Sequence, residues 1–376
     1  MTTKLRVGVI GYGYWGPNLI RNFSACPATE VLAVCDSNPR QIEALRTNLS
    51  HVKAVQSVDE LLELKPDAVA IATPVSTHHA LATRCLEAGI HVLVEKPLAA
   101  TSREAESLVE LAARKGCVLM VDHTYLFSNP IRRIREIIEA GELGDLYYVD
   151  SVRINLGLFQ RDVNVIWDLA PHDLSIVDHV LGRDARSISA WGCGHADPDI
   201  EDIAYVNVDY DDRMLASFHV NWLSPVKVRQ MIFAGSRKSL IFNEMNTAEP
   251  IKIYDRGIEL GESPEDRRKL LVNYRSGDVW SPHVDHGEAL QGVVSHFAEC
   301  IRTNQSPISD GRLGLRVVRL LESATRSIRA QGGRVVLSQG KYFNGEGSER
   351  STGHGELPPD RARRPAREKH KDALLC

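Results

Sequence analysis

The feature that most constrains the fold is a run of three spaced glycines directly after a short apolar segment. Leu5–Ile10 is rich in β-branched residues and predicts a buried strand, and Gly11, Gly13 and Gly16 follow at once. Pro17 then suits the first turn of a helix, where its missing N–H leaves no hydrogen bond unmade. This context of strand, turn and helix is typical of dinucleotide binding. The first glycine permits the tight turn, the second lets the backbone approach a pyrophosphate, and the third lets the helix pack closely.

The second half of this fingerprint is an acidic residue at the end of the next strand. Glu30–Cys35 predicts that strand, and Asp36 follows it about 20 residues after the glycines, the spacing of an acid that binds ribose. Its carboxylate can accept from both ribose hydroxyls and repels a 2′-phosphate, so we expect NAD as the cofactor. Ser37 and Arg40 are a counter-signal, because a nearby arginine can accommodate that phosphate, and NADP therefore stays open.

Predicted strands and helices alternate through about residue 121, which predicts an α/β fold with a Rossmann-type, doubly wound parallel sheet. From Leu146 the pattern changes to strands separated by turn signals, which predicts an α+β domain with a large antiparallel sheet. We therefore expect domains at 1–123 and 124–343, the second ending in helices that return to the first. Residues 255–280 are polar and predict an irregular loop, and 344–376 have almost nothing to bury and predict a disordered tail.

Ligands of such sheets bind beyond the carboxyl ends of the strands, which draws attention to Lys96. The run Val92–Val94 predicts a buried strand that ends in Glu95, Lys96 and Pro97. A partly desolvated ammonium at the edge of a cofactor can orient a substrate hydroxyl and carry its proton. The plainer interpretation is a surface lysine that ends a strand.

Asp168 and His172 are one helical turn apart, so both side chains project from one face of a predicted helix. An imidazole titrates near neutrality and suits the removal of a hydroxyl proton, while Asp168 can hold its tautomer or contact the substrate. The plainer interpretations are that Asp168 is an N-cap before Pro171 and that His172 is a satisfied core histidine. His123 and Tyr125 can also reach the substrate.

Composition excludes several other classes. The formal charge of -4 over 376 residues gives no basic field for nucleic acid, and no apolar run approaches the ~20 residues that span a bilayer. The seven cysteines include no Cys-x-x-Cys pair, which favours a reducing cytoplasm. Adjacent residues such as His78 and His79 point in different directions on a helix, and we predict no metal site.

At the level of motifs, the chain resembles the Gfo/Idh/MocA oxidoreductases over roughly residues 4–338. The motifs that carry the resemblance are Gly11–Gly16, Ala72-Thr73-Pro74 with His78, Ala88-Gly89-x-His91-Val92, Glu95-Lys96-Pro97, Asp168-x-x-x-His172, His296-Phe297 and Ser309-Asp310-Gly311. The resemblance implies hydride transfer between a sugar or cyclitol carbon and a nicotinamide, with Lys96 as the active-site lysine and Asp168 and His172 as its partner pair. It also implies a cis bond before Pro97.

Within the family, the long glycine run resembles members that act on nucleotide-linked sugars, such as the UDP-N-acetyl-aminosugar-uronate 3-dehydrogenases. The family also buries one face of the second sheet between subunits, which implies a homodimer or homotetramer. The expected cofactor contacts are Gly11, Gly13, Tyr14, Trp15, Gly16, Asp36, Ser37, Thr73, Pro74, His78, Glu95 and Lys96. The alternatives are an NADPH-dependent ketoreductase, an inositol-type polyol dehydrogenase and, outside enzymes, a non-catalytic dinucleotide-binding sensor.

Overall fold

A computed structural model describes residues 3–157, 159–160, 162–211, 214–260 and 272–337. Its first sheet is wholly parallel and has the strand order β3-β2-β1-β4-β5-β6. The strands are β1 Leu5–Ile10, β2 Thr29–Cys35, β3 Lys53–Val55, β4 Ala68–Ile71, β5 His91–Glu95 and β6 Leu119–Asp122. The order reverses between β1 and β4, so a crevice opens at the carboxyl ends of these two strands. The prediction of a doubly wound parallel sheet is confirmed.

Five helices connect these strands and cover the sheet. They are α1 Gly16–Ala25, α2 Pro39–Asn48, α3 Val58–Glu63, α4 Val75–Glu87 and α5 Ser102–Lys115. Local sequence fixes where they begin: Ser57 accepts from the amide of Glu60 at the start of α3, and Thr101 and Glu104 form a capping box at the start of α5. Because helices lie on both faces, β4 is buried at every position and reads as a continuous apolar run.

The second sheet has nine strands in the order β14-β13-β12-β11-β7-β10-β9-β8-β15. They are β7 Leu146–Leu156, β8 Ser187–Cys193, β9 Ile203–Asp211, β10 Met214–Asn221, β11 Leu223–Gly235, β12 Ser239–Asn243, β13 Ile251–Leu260, β14 Val272–Trp280 and β15 Val335–Val336. All neighbours are antiparallel except β7 and β10, which pair in parallel. The prediction of a large antiparallel sheet is therefore confirmed, with one parallel pair added.

Four further helices complete the described fold. They are α6 Asn129–Glu139, α7 Val165–Leu181, α8 Ala289–Thr303 and α9 Gly311–Arg329. The last of these packs against α5, α7 and β8, and so joins the two sheets into one body. A Cβ at Gly314 would lie 2.7 Å from Val121, so a small residue there lets α9 approach β6 closely. The expected return of the closing helices to the first sheet is met.

One prediction about the second half is wrong. Residues 255–260 and 272–280 are not irregular, because β13 and β14 pair there as antiparallel strands. Ile258 and Tyr274 face each other in this pair, and both residues are exposed to solvent. The strands here therefore lack the alternation of buried apolar residues that predicts a strand from sequence. Residues 261–271 and the predicted tail, 344–376, lie outside the described residues. The domain boundary at residue 123 stays a prediction.

Candidate active site

A groove of about 440 Å³ lies at the crevice between β1 and β4. Six of the residues expected to contact a dinucleotide line it, namely Gly11, Gly13, Asp36, Ser37, Thr73 and Pro74. Its walls are mostly apolar side chains with a few polar groups, as in other cofactor sites.

The glycine turn fits a dinucleotide on steric grounds. Gly11 has a φ of +102°, and a Cβ there would lie 2.5 Å from the carbonyl oxygen of Ala72. A Cβ at Gly16 would collide with the carbonyl of Gly11, so the third glycine lets α1 pack on the turn. Gly13 is exposed and has no atom within 4 Å of its would-be Cβ, which leaves its backbone open to a phosphate.

The acid of the fingerprint is held rigidly. One carboxylate oxygen of Asp36 accepts from the amide of Tyr12 and the other from the amide of Asn38, each at 2.8 Å. Two lone pairs of the carboxylate stay available for ribose hydroxyls. Arg40, the residue that favours NADP, is exposed in the first turn of α2, the helix that follows Asp36.

Two aromatic residues of the glycine run lie outside the groove. The side chain of Tyr14 is on the surface, 89% exposed. Trp15 is half-buried, and its indole donates to the carboxylate of Asp122 at 3.1 Å. The indole of Trp15 therefore ties the turn to the end of β6, a link that only the tertiary structure reveals.

His78 is buried and joins two strand ends. Its Nδ1 lies 2.9 Å from the carbonyl oxygen of Pro97, and its Nε2 lies 2.8 Å from the carbonyl oxygen of Thr73. Burial lowers the pKa of His78, although both carbonyls act in the opposite direction. The expected role of His78 at the nicotinamide is therefore indirect, because its ring fixes the end of β4 against the end of β5. The bond between Lys96 and Pro97 is cis, as expected.

Lys96 and Asp168 meet across the two halves of the chain. The Nζ atom of Lys96 donates to the backbone carbonyl of Asp168 at 2.8 Å and lies 3.5 Å from its carboxylate. The Lys96 side chain is only 18% exposed, so the plainer interpretation of a surface lysine does not describe it. The ammonium lies at the end of β5, next to the strand whose end lines the groove.

Asp168 is not an N-cap. The helix α7 begins at Val165, and Asn164 caps it by accepting from the amide of Trp167. The other carboxylate oxygen of Asp168 accepts from the indole of Trp222 at 3.1 Å. The Asp168 carboxylate accepts no hydrogen bond from the imidazole of His172 in the described part of the chain, so of the two roles considered for Asp168 the hold on that tautomer is not seen.

His172 lies beside Tyr125, with the two ring centroids 5.1 Å apart and the planes at 76°. Its Nδ1 is buried and has no hydrogen-bond partner among the described residues. Burial lowers the pKa of His172 well below its ordinary value, and the positive charges of Lys96, Arg153 and Arg229 lower it further. The imidazole is therefore neutral at physiological pH and can accept a proton.

Behind Lys96 lie two carboxyls and another histidine. Glu95 and Asp122 are neighbours across β5 and β6, and burial and the charge of Asp122 raise the pKa of Glu95 well above its usual range. Glu95 does not line the groove. His123 is 1% exposed, both of its ring nitrogens are buried without a partner in the described chain, and burial lowers its pKa to about 3. The ring is enclosed in this structure, and its contact with a substrate stays a prediction.

Several residues of the site escaped the sequence analysis. Arg153 of β7 and Asp173 of α7 form a buried ion pair at 2.7 Å, with side chains 4% and 2% exposed. One signal was present, because Arg153 occupies a position of β7 that shares its face with Val149, a core residue. A charge at such a position requires a buried partner. The partner itself comes from another element and leaves no local pattern.

The family comparison decides the class. A model described as "Oxidoreductase family, NAD-binding Rossmann fold" matches residues 5–123, and one described as "GFO/IDH/MocA C-terminal domain" matches 131–241. The chain belongs to the GFO/IDH/MocA oxidoreductases. The resemblance drawn from the motifs is confirmed. The N-terminal sheet of this GFO/IDH/MocA protein is an NAD-binding Rossmann fold, and NAD is the cofactor that the groove fits.

Individual relatives are similar over nearly their whole lengths. A UDP-N-acetylglucosamine 3-dehydrogenase of Acidithiobacillus ferrooxidans is 29% identical over 84% of this chain and 94% of that protein. Its solved structure matches at a TM-score of 0.73 and 26% identity, over 88% of this chain and 99% of that one. Inositol 2-dehydrogenase of Rhizobium meliloti is 23% identical over 86% of this chain and 97% of that protein.

A further solved structure shares the fold alone with this GFO/IDH/MocA chain. The WlbA dehydrogenase of Bordetella pertussis, in complex with NADH and UDP-GlcNAcA, matches at a TM-score of 0.73 and 21% identity, over 90% of this chain and 99% of that one. Within the described ranges, no helix is long and apolar enough to cross a membrane, and no three His, Cys, Asp or Glu side chains form a group able to hold a metal ion.

Proposed function

We propose that the protein is an NAD-dependent dehydrogenase that oxidises a ring hydroxyl of a nucleotide-linked sugar. The observation that carries this proposal is the convergence of Lys96, Asp168 and His172 next to the groove that fits the dinucleotide. Bound NAD would supply the hydride acceptor at the end of β5. The chain's own part is to bind the sugar, orient its hydroxyl and take the proton.

His172 is proposed as the base. Its ring is neutral, so one ring nitrogen carries a lone pair that can accept a proton from a hydroxyl as the carbon is oxidised. Once protonated it can return the proton, so the same residue serves the reverse reaction.

Lys96 is proposed as the group that orients the substrate oxygen. Its ammonium donates to the carbonyl of Asp168 at 2.8 Å and to the carboxylate of Asp168 at 3.5 Å, which leaves one N–H donor. The positive charge of this ammonium also stabilises the negative charge that develops on the reacting oxygen. Asp168 is proposed to fix the position of Lys96 through its carbonyl and carboxylate, and the indole of Trp222 fixes that carboxylate in turn.

The roles can be tested with paired alanine variants. We expect the double variant Lys96→Ala with His172→Ala to lower kcat by about 10²–10⁴-fold, because that is the usual contribution of positioned acid–base groups. NAD affinity measured by fluorescence titration is expected to stay within about threefold of wild type, since neither side chain lines the groove. A matched control is Lys115→Ala with His283→Ala, two exposed surface residues that are not part of the site. Wild-type turnover by the first variant with NAD still bound would refute the assignment.

The substrate proposal rests on the relatives whose names specify nucleotide-linked sugars. A panel separates it from its rivals: UDP- and dTDP-sugars with NAD, free inositols with NAD, and keto-sugars with NADPH, all followed at the nicotinamide absorbance band. Turnover of inositols alone supports a polyol dehydrogenase, and NADPH oxidation alone supports a ketoreductase. Cofactor binding without turnover of any compound supports a sensor.

Two finer statements belong to the same proposal. We infer a homodimer or homotetramer, because the face of the second sheet turned away from the helices exposes Tyr148, Trp191, Tyr205 and Leu215. We also infer a cytoplasmic location, because the six cysteines in the described chain are all free thiols. Cell fractionation with an antibody to the protein tests the second inference.

A further inference from the structure

The imidazole of His172 is held by a neighbouring aromatic ring instead of a carboxylate. In many sites that use a histidine base, a carboxylate accepts from the second ring nitrogen and sets the tautomer. Here Nδ1 of His172 is buried without a hydrogen-bond partner in the described chain. The edge-to-face contact with Tyr125, at 5.1 Å between centroids, is the ring contact that fixes the imidazole.

Contacts of both its hydroxyl and its ring fix the position of Tyr125. Its hydroxyl accepts from Arg153 at 3.2 Å and from Arg229 at 3.0 Å, and it donates to Glu244 at 3.0 Å. The guanidinium of Arg153 also lies over the tyrosine ring, 4.8 Å from its centroid. A side chain with this many partners has one orientation available to it.

The same contacts return to the helix that carries His172. Arg153 donates to both carboxylate oxygens of Asp173, at 2.7 and 3.1 Å, and Asp173 is the next residue of α7 after His172. His172, Tyr125, Arg153 and Asp173 therefore form a closed circuit of contacts between α7, β7 and the turn at Thr124–Phe127. Such a circuit leaves little freedom for the imidazole to rotate, because each member limits the next.

From this geometry we propose that Tyr125 is a positioning residue for the base: its ring sets the orientation of the His172 imidazole and keeps water away from it. The proposal rests on the proposed function for its effect on turnover, but not for its effect on the imidazole itself. It assigns the phenol ring, and not the hydroxyl, as the part that acts on His172.

The charges around His172 give the direction of the effect. The titratable and charged groups that face it, or that bind Tyr125 beside it, are Lys96 from β5, His123 from β6, Tyr125 itself, Arg153 from β7, Arg229 from β11 and Glu244 after β12. Three of these are cations and disfavour an imidazolium, and burial disfavours it most. Removal of the ring admits water, weakens both effects and therefore moves the titration of His172 to higher pH.

Titration of the imidazole by NMR tests this without any substrate. The full chain is labelled with ¹³C-histidine, and the His172 signal is assigned from its absence in His172→Gln. We expect Tyr125→Met and Tyr125→Leu to move the titration midpoint upward by about half a pH unit or more, and Tyr125→Phe to leave it within about 0.3. Two ring-deleting variants are used because methionine fills irregular space and keeps the core folded.

Turnover gives the second reading. We expect Tyr125→Met to lower kcat by about 10–100-fold with KM for NAD unchanged, since a base displaced by an ångström loses about that much. Tyr210 is the matched control, a buried tyrosine of β9: Tyr210→Met is expected to lower thermal stability without moving the His172 titration. An unmoved midpoint in both ring-deleting variants overturns the proposal. If wild type turns over no compound of the panel, the proposed function fails and the titration alone still decides this inference.

Discussion

Lys96 and His172 face different surroundings, and that difference divides the proton chemistry between them. The ammonium lies against the carbonyl and the carboxylate of Asp168, whereas the imidazole lies among cations and against an aromatic ring. An ammonium beside oxygen acceptors donates hydrogen bonds to them, and an imidazole that stays neutral keeps a ring nitrogen with a lone pair for a proton. The two residues are therefore suited to complementary steps on one hydroxyl.

The pH dependence of turnover follows from the lowered pKa of His172. A base with a lowered pKa keeps its active, neutral form at lower pH, so kcat/KM is expected to stay level as pH falls past about 6.5, where an ordinary histidine becomes protonated. Measurement of kcat/KM between pH 4.5 and 9, with saturating NAD, checks this. A half-maximum on the acid side near pH 7 would contradict it.

The carboxylate of Asp36 is proposed to select NAD over NADP. We expect Asp36→Ala to raise the Kd for NAD by about 10–100-fold, the loss of hydrogen bonds to a charged acceptor, and to weaken discrimination against NADP. Calorimetric titration with both cofactors measures this. The control is Glu43→Ala on the exposed side of α2, and equal NAD affinity in wild type and Asp36→Ala would rule out the ribose role.

Single residues show how far sequence reasoning reaches. Lys96, Asp168 and the glycines could be predicted because strand ends, helical spacing and turn geometry are local properties. The hold of Trp222 on Asp168 spans 54 positions, and the contact of Tyr125 with His172 spans two elements, so no local pattern encodes either. The carboxylate of Asp168 takes the Trp222 indole and Lys96 as partners, because sharing a helix face with His172 does not fix which partner a carboxylate takes.

At the scale of elements, the turn between β1 and α1 controls access to the cofactor. Gly11 has a positive φ and no room for a Cβ, so the backbone itself requires glycine there. Gly13 has room for a Cβ, so only the close approach of the dinucleotide requires glycine there. Stability and binding are thus assigned to different positions of one short segment.

Two alanine substitutions separate these demands. Gly11→Ala places a Cβ against the carbonyl of Ala72 at positive φ, and we expect it to lower the free energy of unfolding by about 1–3 kcal/mol and to abolish NAD binding. Gly13→Ala meets no protein atom, so we expect wild-type unfolding with NAD affinity lowered about tenfold or more. Urea unfolding and NAD titration measure the two quantities. Equal stabilities for the two variants would contradict the distinction.

The accuracy of the predicted elements follows the burial of each strand. Strands such as β4, enclosed on both faces, were predicted from their apolar runs, whereas β13 and β14 were missed because solvent reaches much of their length. The parallel pairing of β7 with β10 also had no local signal, since register and direction are set by the whole sheet.

At the scale of the whole molecule, the second sheet is asymmetric. Val206, Phe218 and Val220 on its inner face are almost wholly buried, while Tyr205 and Leu215 on its outer face are about half exposed. Tyr205 stacks on His219 there, at 4.3 Å between ring centroids. An ordered apolar surface of this kind suits burial against a second copy.

We expect Leu215→Glu to dissociate the proposed homodimer or homotetramer, because a charge on an apolar interface must be buried unpaired. Size-exclusion chromatography with light scattering over a range of concentrations measures the mass. Ile308→Glu, an exposed apolar residue before α9, is the matched control and is expected to leave the mass unchanged. A wild-type protein that is monomeric at all concentrations would remove the basis of this expectation.

The buried histidines link overall stability to pH. Their pKa values are lowered in the folded state, to about 3 for His123 and about 4 for His179, so the unfolded chain binds more protons below about 6.5. Stability is therefore present above that pH and is lost as pH falls, by about 1.4 kcal/mol per pH unit for each such group.

Urea midpoints between pH 4 and 7 test this. His123→Gln is expected to flatten the slope by about one proton, and His51→Gln, an exposed residue, is expected to keep the wild-type slope. A slope for His123→Gln equal to that of wild type would show that this ring does not contribute.

The bond from the Trp15 indole to Asp122 gives the molecule a built-in optical probe. The indole is half-buried on the turn that receives the dinucleotide, while its partner ends the strand beside Lys96. Its emission therefore responds when the turn is filled, and the difference between wild type and Trp15→Phe isolates that signal from the other four tryptophans. Cofactor loading can thus be timed in a stopped-flow instrument without a dye, a label or a known sugar.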